Sequence, residues 1–107
     1  MTFGDSQMIA RIWGGATAPE DAREYVRYLL ETGVKAYRET PGNQGAWILW
    51  RETGGRAEFL TVSFWESRNA ITRFAGPDTT RAVFYPEDDR YLIDRDLTVA
   101  HYEVETG

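Results

Sequence analysis

The stretch that decides the fold runs from Gln44 to Glu66: QGAWILWRE (44–52), the turn TGGR (53–56) and AEFLTVSFWE (57–66). Both flanks are rich in aromatic and branched residues. A Gly-Gly pair between two such runs signals a two-residue hairpin, because that turn needs positive φ angles that glycine adopts at little steric cost. The turn also sets a register. With Thr53 opposite Arg56, Arg51 faces Glu58, Leu49 faces Leu60 and Trp47 faces Val62 on one side. On the other, Trp50 faces Phe59, Ile48 faces Thr61 and Ala46 faces Ser63. The first side is apolar beyond an ion pair near the turn and is expected to pack on helices. The second mixes Trp50, Phe59 and Trp65 with Thr61 and Ser63. It is expected to stay open on the protomer, meeting a ligand or a second sheet.

Upstream, Met8–Trp13 reads as a first strand ended by Gly14 and Gly15. Thr17 or Ala18 then caps a helix with Pro19 in its first turn and Glu20 and Asp21 against the helix dipole. Ala22, Tyr25, Val26, Leu29, Leu30, Val34 and Tyr37 fall on one helical face, so the spacing predicts a single helix of about five turns. Pro41, Gly42 and Asn43 stop it. Downstream, Ser67 caps a second helix carrying Ala70, Ile71, Phe74 and Ala75 to its end at Gly76 and Pro77. Asp78 to Asp96 is an acidic and aromatic connection with helical turns expected near 80–84 and 87–93, and 97–105 reads as the last strand. The order is βαββαβ, an α+β ferredoxin-like plan with an antiparallel sheet. Residues 1–7 read as a flexible leader and 8–107 as one domain, as a length of 107 residues predicts.

Composition narrows the chemistry. There is no cysteine and one histidine, so disulfides, thiolate metal centres and thiol nucleophiles are excluded and an intrinsic metal site is not expected. A net charge of −5 opposes binding to nucleic acid and to anionic membranes. No apolar run reaches the ~20 residues of a membrane span, and the start lacks a signal-peptide pattern, so a cytoplasmic location is expected. Aromatics form 14% of the chain, with four tryptophans to line a core, an interface or a pocket.

The candidates follow from residue type and placement. His101 is the single side chain that titrates near neutrality without a large shift. It is either a general base in a pocket or a structural partner of a carboxylate in 87–96 or at a dimer seam. Arg11 alternates with Ile9 and Trp13 and so shares a face with two large apolar residues, a costly place for an unpaired cation. It either meets an anionic or enolate oxygen of a ligand or forms an ion pair, within the protomer or across a dimer. Trp50 and Trp65, with Thr61 and Ser63 between, supply walls and hydrogen-bond donors for a flat aromatic compound, or the packing of an interface. The carboxylates Glu87, Asp88, Asp89, Asp94 and Asp96 lack EF-hand spacing and read as a solvated acidic face.

Several segments together resemble the antibiotic biosynthesis monooxygenase family. They are Met8-Ile-Ala-Arg-Ile-Trp13, Pro41-Gly-Asn43, Phe64-Trp-Glu-Ser67, the helix residues Ala70, Ile71, Phe74, Ala75 and Gly76, and His101-Tyr-Glu-Val104. The resemblance covers about residues 8–105 and implies a dimeric α/β barrel, in which the sheets of a homodimer pack together and each protomer holds a pocket. It does not imply one reaction; for an enzyme of this kind it implies a cofactor-independent monooxygenase acting on a small aromatic or quinone-type compound with dioxygen. The alternative is a non-catalytic small-molecule-binding or structural homodimer. For such an enzyme His101, the one obvious base at neutral pH, is the catalytic candidate, and Arg11, Trp13, Trp50, Thr61, Ser63 and Trp65 are the substrate-binding ones, with no metal and no cofactor expected. The family's haem-opening branch places an asparagine, a tryptophan and a histidine around its haem. The corresponding positions here fall near Arg11, at Phe74 and near Phe84, and none matches.

Overall fold

In the computed structural model, which describes residues 8–105, the chain forms β1 (Met8–Thr17), a 3-10 turn (Pro19–Asp21), α1 (Ala22–Glu31) and α2 (Gly33–Glu39). It continues through β2 (Asn43–Thr53), β3 (Arg56–Trp65), α3 (Arg68–Ala75), α4 (Asp88–Tyr91), β4 (Leu92–Arg95) and β5 (Ala100–Val104). The leader expected over residues 1–7 lies outside the described residues. The turn at Gly54 (φ 59°) and Gly55 (φ 76°) sets the hairpin register from Thr53 opposite Arg56 through Ala46 opposite Ser63, pair for pair as the sequence predicts. β1 lies antiparallel to β3 on its other side, giving the open, antiparallel order β2-β3-β1-β4, with β5 also on β1. This is the α+β, ferredoxin-like arrangement.

Four expectations are corrected. β1 does not end at Gly14 and Gly15 but runs through them to Thr17. Close approach calls for glycine at position 15, where a Cβ would lie 2.6 Å from the Trp13 ring, whereas at Gly14 a Cβ would meet only the movable Asp96 carboxylate, at 2.9 Å. The single long helix is broken at Thr32 (φ −116°, ψ −92°), whose hydroxyl donates to Tyr28 O at 2.7 Å just before Gly33. The last strand is split. β4 pairs with Gly15–Thr17, β5 pairs with Met8–Ile12, and residues 96–99 connect them. Residues 80–84 form no helical turn; Arg81 instead bridges to Thr98.

The fifth correction bears most on function, because the two faces of the hairpin are exchanged. The mixed face is the covered one: Phe59, Thr61, Ser63 and Trp65 are buried beneath the helices, together with Ile9, Arg11 and Trp13 of β1. The uniformly apolar face is open, leaving Trp47 56%, Leu49 50% and Leu60 45% exposed. Two buried clusters fill the space between sheet and helices. One holds Ile9, Val34, Tyr37, Ala46, Trp65, Ala70 and Ile71. The other holds Trp13, Ala22, Tyr25, Leu29, Ala57, Phe59 and Tyr91. Small residues on β3 bring the helices close, so that large rings from either side interleave with them.

Candidate functional site

Between those clusters, in the middle of the covered face, lies a polar row. The registers place Ser63, Arg11 and His101 side by side on β3, β1 and β5. Strand alternation puts Arg11 there, between Ile9 of one cluster and Trp13 of the other. It is only 2% exposed. Its Nη1 donates to Thr79 O at 2.5 Å and lies 3.1 Å from His101 Nε2, and its Nη2 donates to Arg81 O at 3.1 Å. Its Nε is buried without a partner. The guanidinium carbon lies 5.7 Å from the centre of the Phe74 ring. None of the ion pairs among the described residues includes Arg11; they lie at the surface, on Arg51, Arg56, Arg90 and Arg95.

An arginine can only donate, so His101 Nε2 is the acceptor of this contact and the neutral ring carries its proton on Nδ1. Burial, then the positive charges of Arg11 and Arg68, push the His101 pKa below its ordinary value of 6.5. Burial likewise lowers that of Arg11, partly opposed by the Tyr37 phenol. His101 therefore stands neutral at pH 7, and its partner is a cation and not one of the carboxylates of 87–96. A histidine whose pKa drops on folding supports stability that is complete above the unfolded value of about 6.5 and lost as pH falls from there toward the folded value. Thermal unfolding is thus expected at a lower temperature at pH 6.0 than at pH 7.5. His101→Gln, whose amide oxygen still accepts from Arg11, should flatten that difference.

The other candidates divide. The Trp65 indole N–H donates to Ser63 Oγ at 2.9 Å, and its ring packs against Tyr37 and Phe74, so Trp65 and Ser63 adjoin Arg11 from one side. Trp13 donates to Asp96 O at 2.8 Å and meets Phe84 edge-on. Thr61, opposite Trp13, is buried. Trp50 lies farther off, stacked on Phe59 with Arg23 over its ring. It reaches instead the lining of a groove of about 570 Å³ that also involves Leu49, Leu60, Arg56, Glu58 and Asp94. The structure therefore brings Arg11, His101, Ser63 and Trp65 together and sets Trp50 apart.

Sequence reasoning missed two features. The carbonyls of Thr79 and Arg81 that hold Arg11 belong to backbone, which leaves no mark on residue type. Asp88, expected on a solvated face, is buried: it accepts from the Tyr25 hydroxyl at 3.0 Å and from the Tyr85 N–H at 2.6 Å. Its place just after Pro86, at the start of α4, was the available signal. Burial and the nearby Asp88 carboxylate push the Tyr25 phenol far up in pKa, so it stays a donor. No group of three metal-ligating side chains occurs among the described residues, and none of their helices is long and apolar enough to cross a membrane.

The fold, an open antiparallel sheet covered on one side by helices, is that of a ferredoxin-like α+β domain. The antibiotic biosynthesis monooxygenase family matches residues 14–84, and the chain belongs to that family. Arg11 and His101 lie outside the matched stretch. No curated protein matches the chain in sequence. Among solved structures, a Bacillus cereus protein assigned as an antibiotic biosynthesis monooxygenase is 19% identical with a TM-score of 0.57, covering 95% of this chain and 96% of that one. Rv0793 from Mycobacterium tuberculosis is 20% identical with a TM-score of 0.55, covering 92% and 94%. The haem degrader MhuD of Mycobacterium tuberculosis, solved with two haems in its active site, is 19% identical with a TM-score of 0.54, covering 92% and 99%. At these identities the likeness is one of fold. The residues here do not fit a haem held by the set described above: Phe74 packs on Tyr37, Phe84 on Trp13, and the imidazole Nε2 is taken by Arg11.

Proposed function

We propose that the protein is a cofactor-independent monooxygenase that oxidises a small aromatic or quinone-type compound with dioxygen, and that it works as a homodimer. One observation carries this reading: a neutral histidine and a buried arginine touch each other at 3.1 Å beneath aromatic rings, on the covered side of the sheet. Oxygenation without a cofactor needs a substrate anion able to give electrons to dioxygen. His101 Nε2 is the group to take the substrate's proton once a substrate hydroxyl or activated CH displaces the Arg11 N–H from it. Arg11 then faces the oxyanion, with Trp65 and Phe74 as apolar walls that exclude water. For an anthrone-type CH2, one oxygen atom becomes the new carbonyl and the other leaves with the two hydrogens as water.

The test is oxygen uptake by the purified protein with an anthrone or a hydroquinone, measured above the uncatalysed rate. His101→Ala should lower that turnover ~10²-fold or more, with a nearly unchanged melting temperature. A fall only in proportion to lost folded protein would make His101 structural. The second reading, a small-molecule-binding homodimer without turnover, is favoured by one fact: the lone pair a base would use is already engaged by Arg11. Saturable binding of such compounds with no oxygen uptake would establish it.

A further inference from the structure

Arg11 has more donors than the protomer satisfies, and the acceptors it has carry no charge. A buried guanidinium is costly without an anion, and neutral carbonyls return only part of what hydration supplied. Here the acceptors are two backbone carbonyls and a neutral imidazole, with the uncharged Tyr37 phenol close by, while Nε–H is left without a partner. The charges that act on His101 beside it are those of Arg11 and Arg68, both positive, with no carboxylate among them. In a chain of net charge −5, this is a local site for a negative group.

Those carbonyls belong to a strap between Gly76, at φ +83°, and Pro86 that carries no helix or strand. Its backbone hydrogen bonds to other segments run to the 96–99 connection, Ala82 N–H to Leu97 O at 3.0 Å and Val99 N–H to Thr80 O at 2.8 Å. The polar ties of residues 79–81 to β1 are the two made by Arg11. An anionic oxygen adds a coulombic attraction to the guanidinium that a neutral carbonyl lacks, so it competes for the same N–H groups with an advantage.

We propose that Arg11 is an anion anchor that the strap carbonyls of Thr79 and Arg81 occupy in the empty protein, and that its ligand is a flat aromatic monoanion that displaces them. The inference rests on the reading that the covered aromatic site takes a small aromatic compound, and it adds the ligand's charge and the piece of chain that must yield. The anionic oxygen takes the Nη and Nε donors of Arg11, the ring lies against Phe74, and residues 78–81 draw back from Arg11 as the ligand enters, while Phe84 stays packed on Trp13. The strap thereby acts as the protein's own competitor.

The test compares 2-naphthoate with 2-naphthamide, equal in shape and different in charge, by calorimetric titration of the intact protein with hydrogen exchange of residues 78–84. Naphthoate should bind ~10-fold or more tighter than the amide, as charge-assisted bonds imply. Exchange over 78–84 should accelerate at saturating naphthoate. Arg11→Gln should bring the two ligands within ~3-fold of each other; should that variant fail to fold, the wild-type pair still decides. Equal binding of both compounds would overturn the anion anchor and leave the aromatic site standing. Tighter naphthoate binding with slowed exchange over 78–84 would overturn displacement of the strap. Binding of neither compound would overturn the proposal and the aromatic-site reading together.

Discussion

Leu60→Glu is expected to turn a dimer of about twice the 12.3 kDa chain mass into a monomer at micromolar concentration. Leu60 sits in the middle of the open face, opposite Leu49 and next to the Trp47–Val62 pair, and all of these are apolar. A sheet side with Trp47, Leu49 and Leu60 each about half exposed is a contiguous patch of the kind that soluble monomers rarely leave uncovered. A two-fold dimer packs this apolar face against its own copy, so a glutamate at Leu60 sets a charge against apolar residues, and near the axis against a like charge, in a dehydrated interface. Such juxtaposition costs several kcal/mol, on the order of a 10³-fold weaker association. The protomer's own stability should change little, because Leu60 is 45% exposed within it. Leu30→Glu on α1, at a similar 46% exposure on the helical side, is the control and should leave the mass unchanged. Light scattering of both variants decides. A Leu60→Glu protein that keeps dimer mass would show that the copies meet elsewhere.

The exchanged hairpin faces show where sequence reasoning succeeds and where it stops. Register was legible because Gly54 and Gly55 leave one turn geometry, and pairing from Thr53–Arg56 to Ala46–Ser63 follows by counting. Which side the helices cover was not legible, because a face buried by helices and a face suited to another sheet can both be apolar. The helix-covered side tolerates Ser63 and Thr61 because hydroxyls can be satisfied locally, as Trp65 N–H does for Ser63 Oγ. It favours their small size because helices packed close need room. Apolarity was therefore the wrong discriminator; the alternation of small and very large residues on one face was the better one. In the candidate site, the shared face of Arg11, Ile9 and Trp13 was legible from alternation, and its cost as a buried cation from physical chemistry. The contact between Arg11 and His101 was not, since it depends on how a split last strand registers on β1.

Trp65→Ala is expected to remove ~3–5 kcal/mol of stability, the usual range for deleting a buried indole, against a typical total of ~5–15 kcal/mol for a domain. Trp65 is 0% exposed, edge-on to Tyr37 at 5.9 Å and tilted against Phe74 at 6.0 Å. Around it lie Ile9, Val34, Ala46, Ala70 and Ile71 from both strands and helices, so no one element can move in to fill the void. The loss also leaves the buried Ser63 hydroxyl without the N–H it accepts at 2.9 Å. Calorimetry or circular dichroism should register a drop of roughly 10 °C or more in melting temperature. Trp65→Phe keeps most of the ring contacts and drops only that hydrogen bond and some volume, so it should cost ~1–2 kcal/mol. The pair separates two roles for this side chain. A tryptophan whose main task is to wall a ligand site would, on truncation, weaken binding of an aromatic compound with little change in melting. One that holds α2 and α3 to the sheet lowers the melting temperature first, and binding at Arg11 then fails because Phe74 and Tyr37 lose the surface that positions them.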